Sequence, residues 1–221
     1  MNMKPTESHR VVISKWKDYL LGMLLATSLV VPLPCLAQDA GVNDDAQQVV
    51  SGFHDQLLGV MRDAKTLGYQ GRYDKLHPSI TSLFDTPTIA KVILSRYWKE
   101  INDQEKEEFI KLFNELSTAT YASRFDGYNG ESFANLGSEE LNKGRLLVKT
   151  ELQQPGDEPV RMDYLMQRTK EGWRIISVIA DGVNDLSLKR AEYAVIIREK
   201  GFSGLVEEIR KKIADSKTSS D

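Results

Sequence analysis

Apolar residues recur at helical spacing to about residue 126, at alternate positions from 130 to 180, and at helical spacing again towards the end of the chain. Val49, Val50, Phe53, Leu57, Val60 and Met61 share one face of a first predicted helix. A shorter helix is expected over residues 72–77, with Pro78 as its stop. Pro87 suits the first position of a third helix, which holds Ile89, Val92, Ile93, Tyr97 and Trp98. Asn102 followed by Glu105 has the spacing of a capping box, and behind it Phe109, Leu112, Phe113, Leu116, Thr120 and Phe125 hold one face to about Asp126. The opposite side of that helix, with Glu105, Lys106, Glu107, Glu108 and Lys111, reads as a solvated face.

The alternating region predicts an antiparallel meander of four strands, with turns at Asn142-Lys143-Gly144, Gln154-Pro155-Gly156-Asp157 and Lys170-Glu171-Gly172. Leu146, Val148, Thr150 and Leu152 share a side of the second strand, and Val160, Met162, Tyr164 and Met166 a side of the third. The fourth has Trp173, Ile175, Ser177 and Ile179 on one face and Ile176, Val178 and Ala180 on the other, which predicts burial on both sides. Gly182 ends the sheet. A helix to about Lys200 carries the stripe Leu186, Arg190, Tyr193 and Ile197, Gly201 stops it, and a last helix holds Leu205, Val206, Ile209 and Ile213. The expected architecture is α+β, with helices packed on one curved four-stranded antiparallel sheet in an NTF2-like cone that encloses an apolar cavity.

Composition adds a compartment. Lys4, Arg10, Lys15 and Lys17 against Glu7 and Asp18 precede an uncharged run over residues 19–31, and Cys35-Leu36-Ala37 offers small residues before a cut ahead of Gln38. The apolar run is shorter than the roughly 20 residues a spanning helix needs. Residues 1–37 therefore read as a cleaved signal peptide, 38–48 as a polar linker, 49–215 as a single domain and 216–221 as a disordered tail. The whole chain carries 29 basic and 32 acidic side chains, and removal of the leader leaves 25 against 30. Such a balance offers no broad attraction for nucleic acid. Cys35 is the one cysteine, so the mature chain would have no disulfide, thiolate metal site or cysteine nucleophile.

Chemistry-bearing motifs are sparse. His54 and His77, the two histidines after the leader, have no metal-ligand spacing around them, and no residue set reads as catalytic or metal-binding. Gly201-Phe202-Ser203-Gly204 lacks the spacing of a nucleophile elbow and joins two helices. Asp163 and Asp181 are the carboxylates that an enzyme built on this cone would use, although Asp163 falls on the side away from Met162, Tyr164 and Met166. Those three, with Trp173, Phe109, Phe113, Tyr97 and Trp98, are flexible or aromatic side chains that pack either as a plain core or around a pliable ligand.

Arg72-x-x-x-Leu76-x-Pro78, Phe84-Asp85, Ile89-Ala90, Leu94, Trp98, Phe109, Phe113, Leu116, Tyr121-Ala122 and Tyr128, then Gly182-Val183 with Arg190 and Tyr193, together resemble the MlaC, or toluene-tolerance, family over nearly all of the chain after the leader. Asn184 and Asp185 depart from the Ser-Leu of many relatives, and Ser95 from their Gly. The stretch over residues 183–190 looks more like the hopanoid-associated, HpnM-like branch.

The resemblance implies a periplasmic carrier that holds lipid tails between sheet and helices, needs no cofactor besides that lipid ligand, and moves phospholipid or hopanoid-type lipid between inner and outer membranes. The implied pocket draws Ile89, Val92, Ile93, Tyr97 and Trp98 from the Pro87 helix and Phe109, Phe113 and Leu116 from the Asn102 helix. The sheet adds Val148, Leu152, Met162, Tyr164, Met166, Trp173 and Ile175. Arg190 and Tyr193 fall at the pocket mouth, where Arg190 either caps the opening or pairs with a carboxylate such as Asp181. Implied partners are an inner-membrane lipid-transport complex and an outer-membrane lipoprotein complex. The alternatives are an isomerase- or hydrolase-type enzyme on the same cone, or a periplasmic adaptor without ligand.

Overall fold

The computed structural model describes residues 40–218, so the leader, its cut and the last three residues lie outside the described chain. Helix α1 (Ala40–Arg62) runs through most of the segment expected as a linker and buries Ala46, Val50, Phe53, Leu57 and Met61. Helix α2 (Ala64–Leu83) is broken at Gly68, whose φ of 58° and ψ of −175° only glycine adopts readily, and then continues through Pro78 rather than stopping there. An internal proline forfeits one helical hydrogen bond. Here tertiary anchoring offsets that loss: Leu76 and Ile80 on either side of Pro78 are fully buried, and the Arg72 guanidinium donates from Nε to Ala122 O at 2.8 Å.

Helix α3 (Thr86–Leu94) is capped by the Asp85 side chain, which accepts from Thr88 N at 3.0 Å, and Pro87 lies in its first turn. It ends before Tyr97 and Trp98, which sit on a short 3-10 segment (Ser95–Lys99). Helix α4 (Asp103–Arg124) opens with the expected capping box: Glu105 N donates to Asn102 Oδ1 at 2.9 Å, and Asn102 N to Glu105 Oε2 at 2.8 Å.

Strands β1 (Ser132–Leu141), β2 (Arg145–Gln153), β3 (Val160–Thr169) and β4 (Gly172–Ala180) form the predicted meander, and a two-residue β5 (Val183–Asn184) pairs with β4 as a fifth strand. A register shift opposite Leu165 and Met166 alters the parity of β4. Ile175 before it and Val178 beyond it therefore pack against the same core, which accounts for an apolar pattern that pure alternation assigns to two faces. Asp181 and Gly182, at φ of 47° and 81°, turn the chain into helix α5 (Asp185–Thr218). A break at Gly201 divides α5 where a helix stop was expected, and its second half is helical to Thr218 instead of fraying from residue 216.

Two apolar cores result. In the first, α1 and α2 cover one face of the sheet around Phe53, whose ring meets Phe84, Tyr121 and Tyr164 edge-on at centroid distances of 5.7, 5.4 and 6.5 Å. The second lies among α3, α4 and α5 around Ile93, Phe109, Tyr193 and Leu205. Phe84 and Ile213 pack against both.

Gly201→Ala should lower unfolding stability by about 1–3 kcal/mol, because φ of 72° with ψ of −177° is close to inaccessible to a residue with a Cβ. Gly52→Ala, on an exposed turn of α1 with nothing within 4 Å of the added carbon, should raise it by about 0.5–1 kcal/mol. Urea unfolding of the two variants measures both signs.

Candidate functional site

The amphipathic cleft follows from how the two cores meet. One wall is α4, whose Phe113, Leu116, Ser117, Thr120, Tyr121 and Arg124 recur at helical spacing and face the same space. The second wall is β4, through Ile176, Ser177 and Val178. The first turns of α5 contribute Asp185, Leu186 and Lys189, while Phe84, Ile89 and Phe125 complete the lining. The enclosed space is about 80 Å³.

Short-range signals place the α5 wall. The Asn184 side chain accepts from Ser187 N at 3.2 Å, which caps the helix, and from Ser177 Oγ at 3.1 Å, which fastens that cap to β4. Lys189 donates to Asp185 at 2.9 Å across one turn. The Tyr121 phenol is pushed up by burial first and by the Asp185 carboxylate next, with Arg124 opposing, so both charges act on this wall of the cleft.

Of the residues expected to line a pocket, Ile89, Phe113 and Leu116 do line this cleft. Ile93 and Phe109 lie in the helical core, where Phe109 stacks on Phe113 at 5.9 Å and meets Tyr193 edge-on at 6.2 Å. Tyr193 is thus a buried core residue, with its phenol raised by burial. Val92 is exposed. Arg96 lies over Tyr97 at 4.7 Å and donates to its hydroxyl, and Lys106 lies over Trp98 at 5.7 Å. The sheet residues Val148, Leu152, Met162, Tyr164, Met166, Trp173 and Ile175 are buried together in the first core. Arg190 donates to Ser95 Oγ at 3.2 Å, tying α5 to the end of α3, instead of reaching Asp181, whose carboxylate accepts from Arg161 N at 2.9 Å.

Sequence reasoning missed Phe84, Ser117, Tyr121, Arg124, Ile176, Val178, Asp185, Leu186 and Lys189 as cleft residues. Polar Ser117, Thr120 and Arg124 on the same side of α4 as Phe113 were the available signal, since a helix face turned wholly to core has no use for them. Both carboxylates weighed for catalysis are engaged elsewhere: Asp163 accepts from Arg161 Nε at 2.6 Å and from Thr150 N at 3.2 Å, and Asp181 accepts from Arg161 N. Among the described residues no group of three or more His, Cys, Asp or Glu could hold a metal ion, and no helix is long and apolar enough to cross a membrane.

A second recess lies between α1 and the first two strands. His54 is buried there, stacked on Phe133 with centroids 3.8 Å apart, with its Nε2 hydrogen-bonded to the Tyr164 hydroxyl at 3.0 Å. Burial lowers the imidazole from 6.5 to about 3.

Comparison with known proteins places the chain. A model of the family described as MlaC protein matches residues 52–211. Among solved structures, a phospholipid-binding protein from Ralstonia solanacearum, determined in complex with a phospholipid, superposes with a TM-score of 0.70 at 20% identity. That match covers 78% of this chain and 98% of the other.

A histidine whose folded pKa lies below its unfolded one makes the unfolded chain the better proton acceptor between the two values. Stability from His54 should therefore be fully present above pH 6.5 and fall as pH drops towards about 3. His54→Gln should reduce that slope by up to about 1.4 kcal/mol per pH unit, measured as the difference between wild-type and variant urea midpoints across the range.

Proposed function

The chain belongs to the MlaC family, and from that premise we propose that it is a noncatalytic periplasmic carrier that binds lipid tails in the cleft between α4, α5 and β4. The observation that supports this reading is that one cleft brings apolar Phe84, Ile89, Phe113, Leu116 and Val178 together with the hydroxyls of Ser117 and Thr120 and the charges of Arg124, Asp185 and Lys189. An amphiphile combines the same apolar and polar chemistry. The likeness to a phospholipid-binding protein of the same fold agrees with it.

Energetically the tails suffice. Each buried methylene is worth about 0.8 kcal/mol, so about ten reach the ~8 kcal/mol of a micromolar complex before ordering costs. At about 80 Å³ the cleft is below the ~300–1,000 Å³ of ordinary ligand pockets, so whole tails enter by parting the seam between the two cores.

The expected leader supports export to the periplasm, and the family supports transfer between inner and outer membranes, with a membrane-anchored transport complex at the inner membrane and a lipoprotein complex at the outer one as partners. Residues 183–190 favour the hopanoid-associated branch, and the apolar floor fits acyl chains and hopanoid rings alike.

Purified from bacteria, the mature protein should carry co-extracted lipid detectable by mass spectrometry; repeated lipid-free preparations with no uptake from vesicles would overturn the reading. Leu186→Glu should cut loading at least tenfold with little change in melting temperature, because the acid sits in the first turn of α5, where the helix dipole tolerates it. Met166→Arg places an unpaired charge in the fully buried first core and should cost about 3 kcal/mol or more of stability. Thermal melts beside the loading assay separate the two effects.

A further inference from the structure

Tyr97 and Trp98 lie outside the cleft, on the 3-10 segment Ser95–Lys99 that joins α3 to α4. Each packs one flank on the second core and leaves part of its ring in solvent. Val92, one turn earlier on α3, is 40% exposed. Residues 86–99 hold Lys91, Arg96 and Lys99 and no acid, on a chain whose net charge is −3. All three cations are exposed, and Lys91 and Lys99 make no ion pair among the described residues. Arg96 donates to the Tyr97 hydroxyl at 2.7 Å and feels Glu100, the acid that follows the segment. Lys106, over the Trp98 ring, pairs with Asp103. Two ordinary roles account for part of this set. Cover of the second core explains the buried flank of each ring, and the helix dipole explains Lys91 in the last turn of α3. Neither explains Arg96 and Lys99 beyond the helix end, the exposed valine, or a Trp98 indole N–H that bonds no protein group among the described residues.

We propose that this tip, Val92, Arg96, Tyr97, Trp98 and Lys99, docks the protein directly on an anionic bilayer surface. Docking goes beyond tail binding and uses residues that do not line the cleft. Tyrosine and tryptophan, each with an apolar body and a polar end, concentrate at the headgroup level of membranes. Each Lys or Arg held near an anionic leaflet strengthens binding about fivefold. Unpaired cations on flexible stems around two amphipathic rings suit a fluid surface, which requires no matching shape. The tip is also held in place. Ser95 turns the chain at φ of 52°, which a residue with a Cβ seldom adopts, and Arg190 of α5 donates to its Oγ at 3.2 Å. Lys189, beside Arg190, and Ile89, one turn before Val92, both line the cleft, so a docked tip brings the cleft close to the bilayer.

The test uses the mature protein with vesicles of phosphatidylcholine, either alone or with about one part in three of phosphatidylglycerol. Binding is read by co-sedimentation and by quenching of tryptophan fluorescence with lipids brominated in the acyl chain. From residue 38 onward the tryptophans are Trp98 and Trp173, and Trp173 is buried in the first core, so quenching reports on Trp98. Wild type should bind the anionic vesicles at least about tenfold more tightly than the neutral ones, with quenching, and lose most of that preference at about 0.5 M NaCl. Arg96→Gln with Lys99→Gln should weaken anionic binding at least about tenfold with little change in melting temperature. Val92→Asp should weaken it about threefold or more, whereas Leu136→Asp, at a similarly exposed apolar position on β1, should leave it as in wild type. Trp98→Phe should abolish the quenching. Equal binding to both vesicles, binding retained by the double variant, equal losses with Val92→Asp and Leu136→Asp, or quenching that survives Trp98→Phe overturns the docking surface. No sedimentation with either vesicle overturns it as well and leaves the tip to a protein partner. Lipid uptake measured on the same samples decides the carrier reading separately. Should the double variant melt early, the salt dependence and the paired aspartate variants decide.

Discussion

The seam between two separately packed apolar cores is the constraint on which the rest of the molecule depends. The meander offers one continuous apolar face, and α1 and α2 cover it around Phe53. Helices α3, α4 and α5 satisfy most of their apolar surface on each other, around Phe109 and Tyr193. Phe84 and Ile213 pack on both sides. Between them runs a line along which neither core fills the other's surface, and the cleft lies on it: Tyr121, Phe125 and Val178 come from one core, Ile89, Phe113 and Leu116 from the other. Interiors are otherwise close-packed, so space persists where two well-satisfied layers meet.

The same arrangement explains how the walls are held. Asn184 caps α5 and ties it to β4, Arg190 ties it to Ser95 at the end of α3, Tyr193 packs it into the helical core, and the break at Gly201 separates this first half of α5 from the second, which adds Leu205, Val206 and Ile209 to the same core. The α5 wall of the cleft is thus fixed by a few polar contacts and by the burial of Tyr193. The opposite wall is β4, which is paired with β3 along its length and with β5 only at Ile179 and Ala180, and is backed by the first core.

The residues through which the chain resembles its family are mostly builders of this frame. Arg72 and Leu76 join α2 to α4, Phe84 bridges to Ile175 with Asp85 N donating to Ile175 O at 2.9 Å, and the Asp85 side chain caps α3. Their spacing records where layers must touch. The cleft is marked by a less regular set, Ser117, Thr120, Arg124, Asp185 and Lys189, whose polarity breaks otherwise apolar faces.

What the sequence by itself determined is everything governed by neighbours along the chain: the change of period from helix to strand, the capping box at Asn102, the turns of the meander and the interruption at Gly201. These rest on hydrogen bonds and backbone angles settled within a few residues, so α+β architecture was legible. Tertiary structure alone decided that Pro78 sits inside a helix, because Leu76 and Ile80 are anchored by other elements. It also decided the parity of β4, since a bulge is defined by its partner strand. The site divides the same way. Ile89, Phe113 and Leu116 could be picked out by their stripes, whereas Met162, Tyr164 and Met166 carry the same signature and lie in a sealed core. Periodicity marks a side chain as facing inward; whether it meets another layer or a gap depends on how distant elements pack.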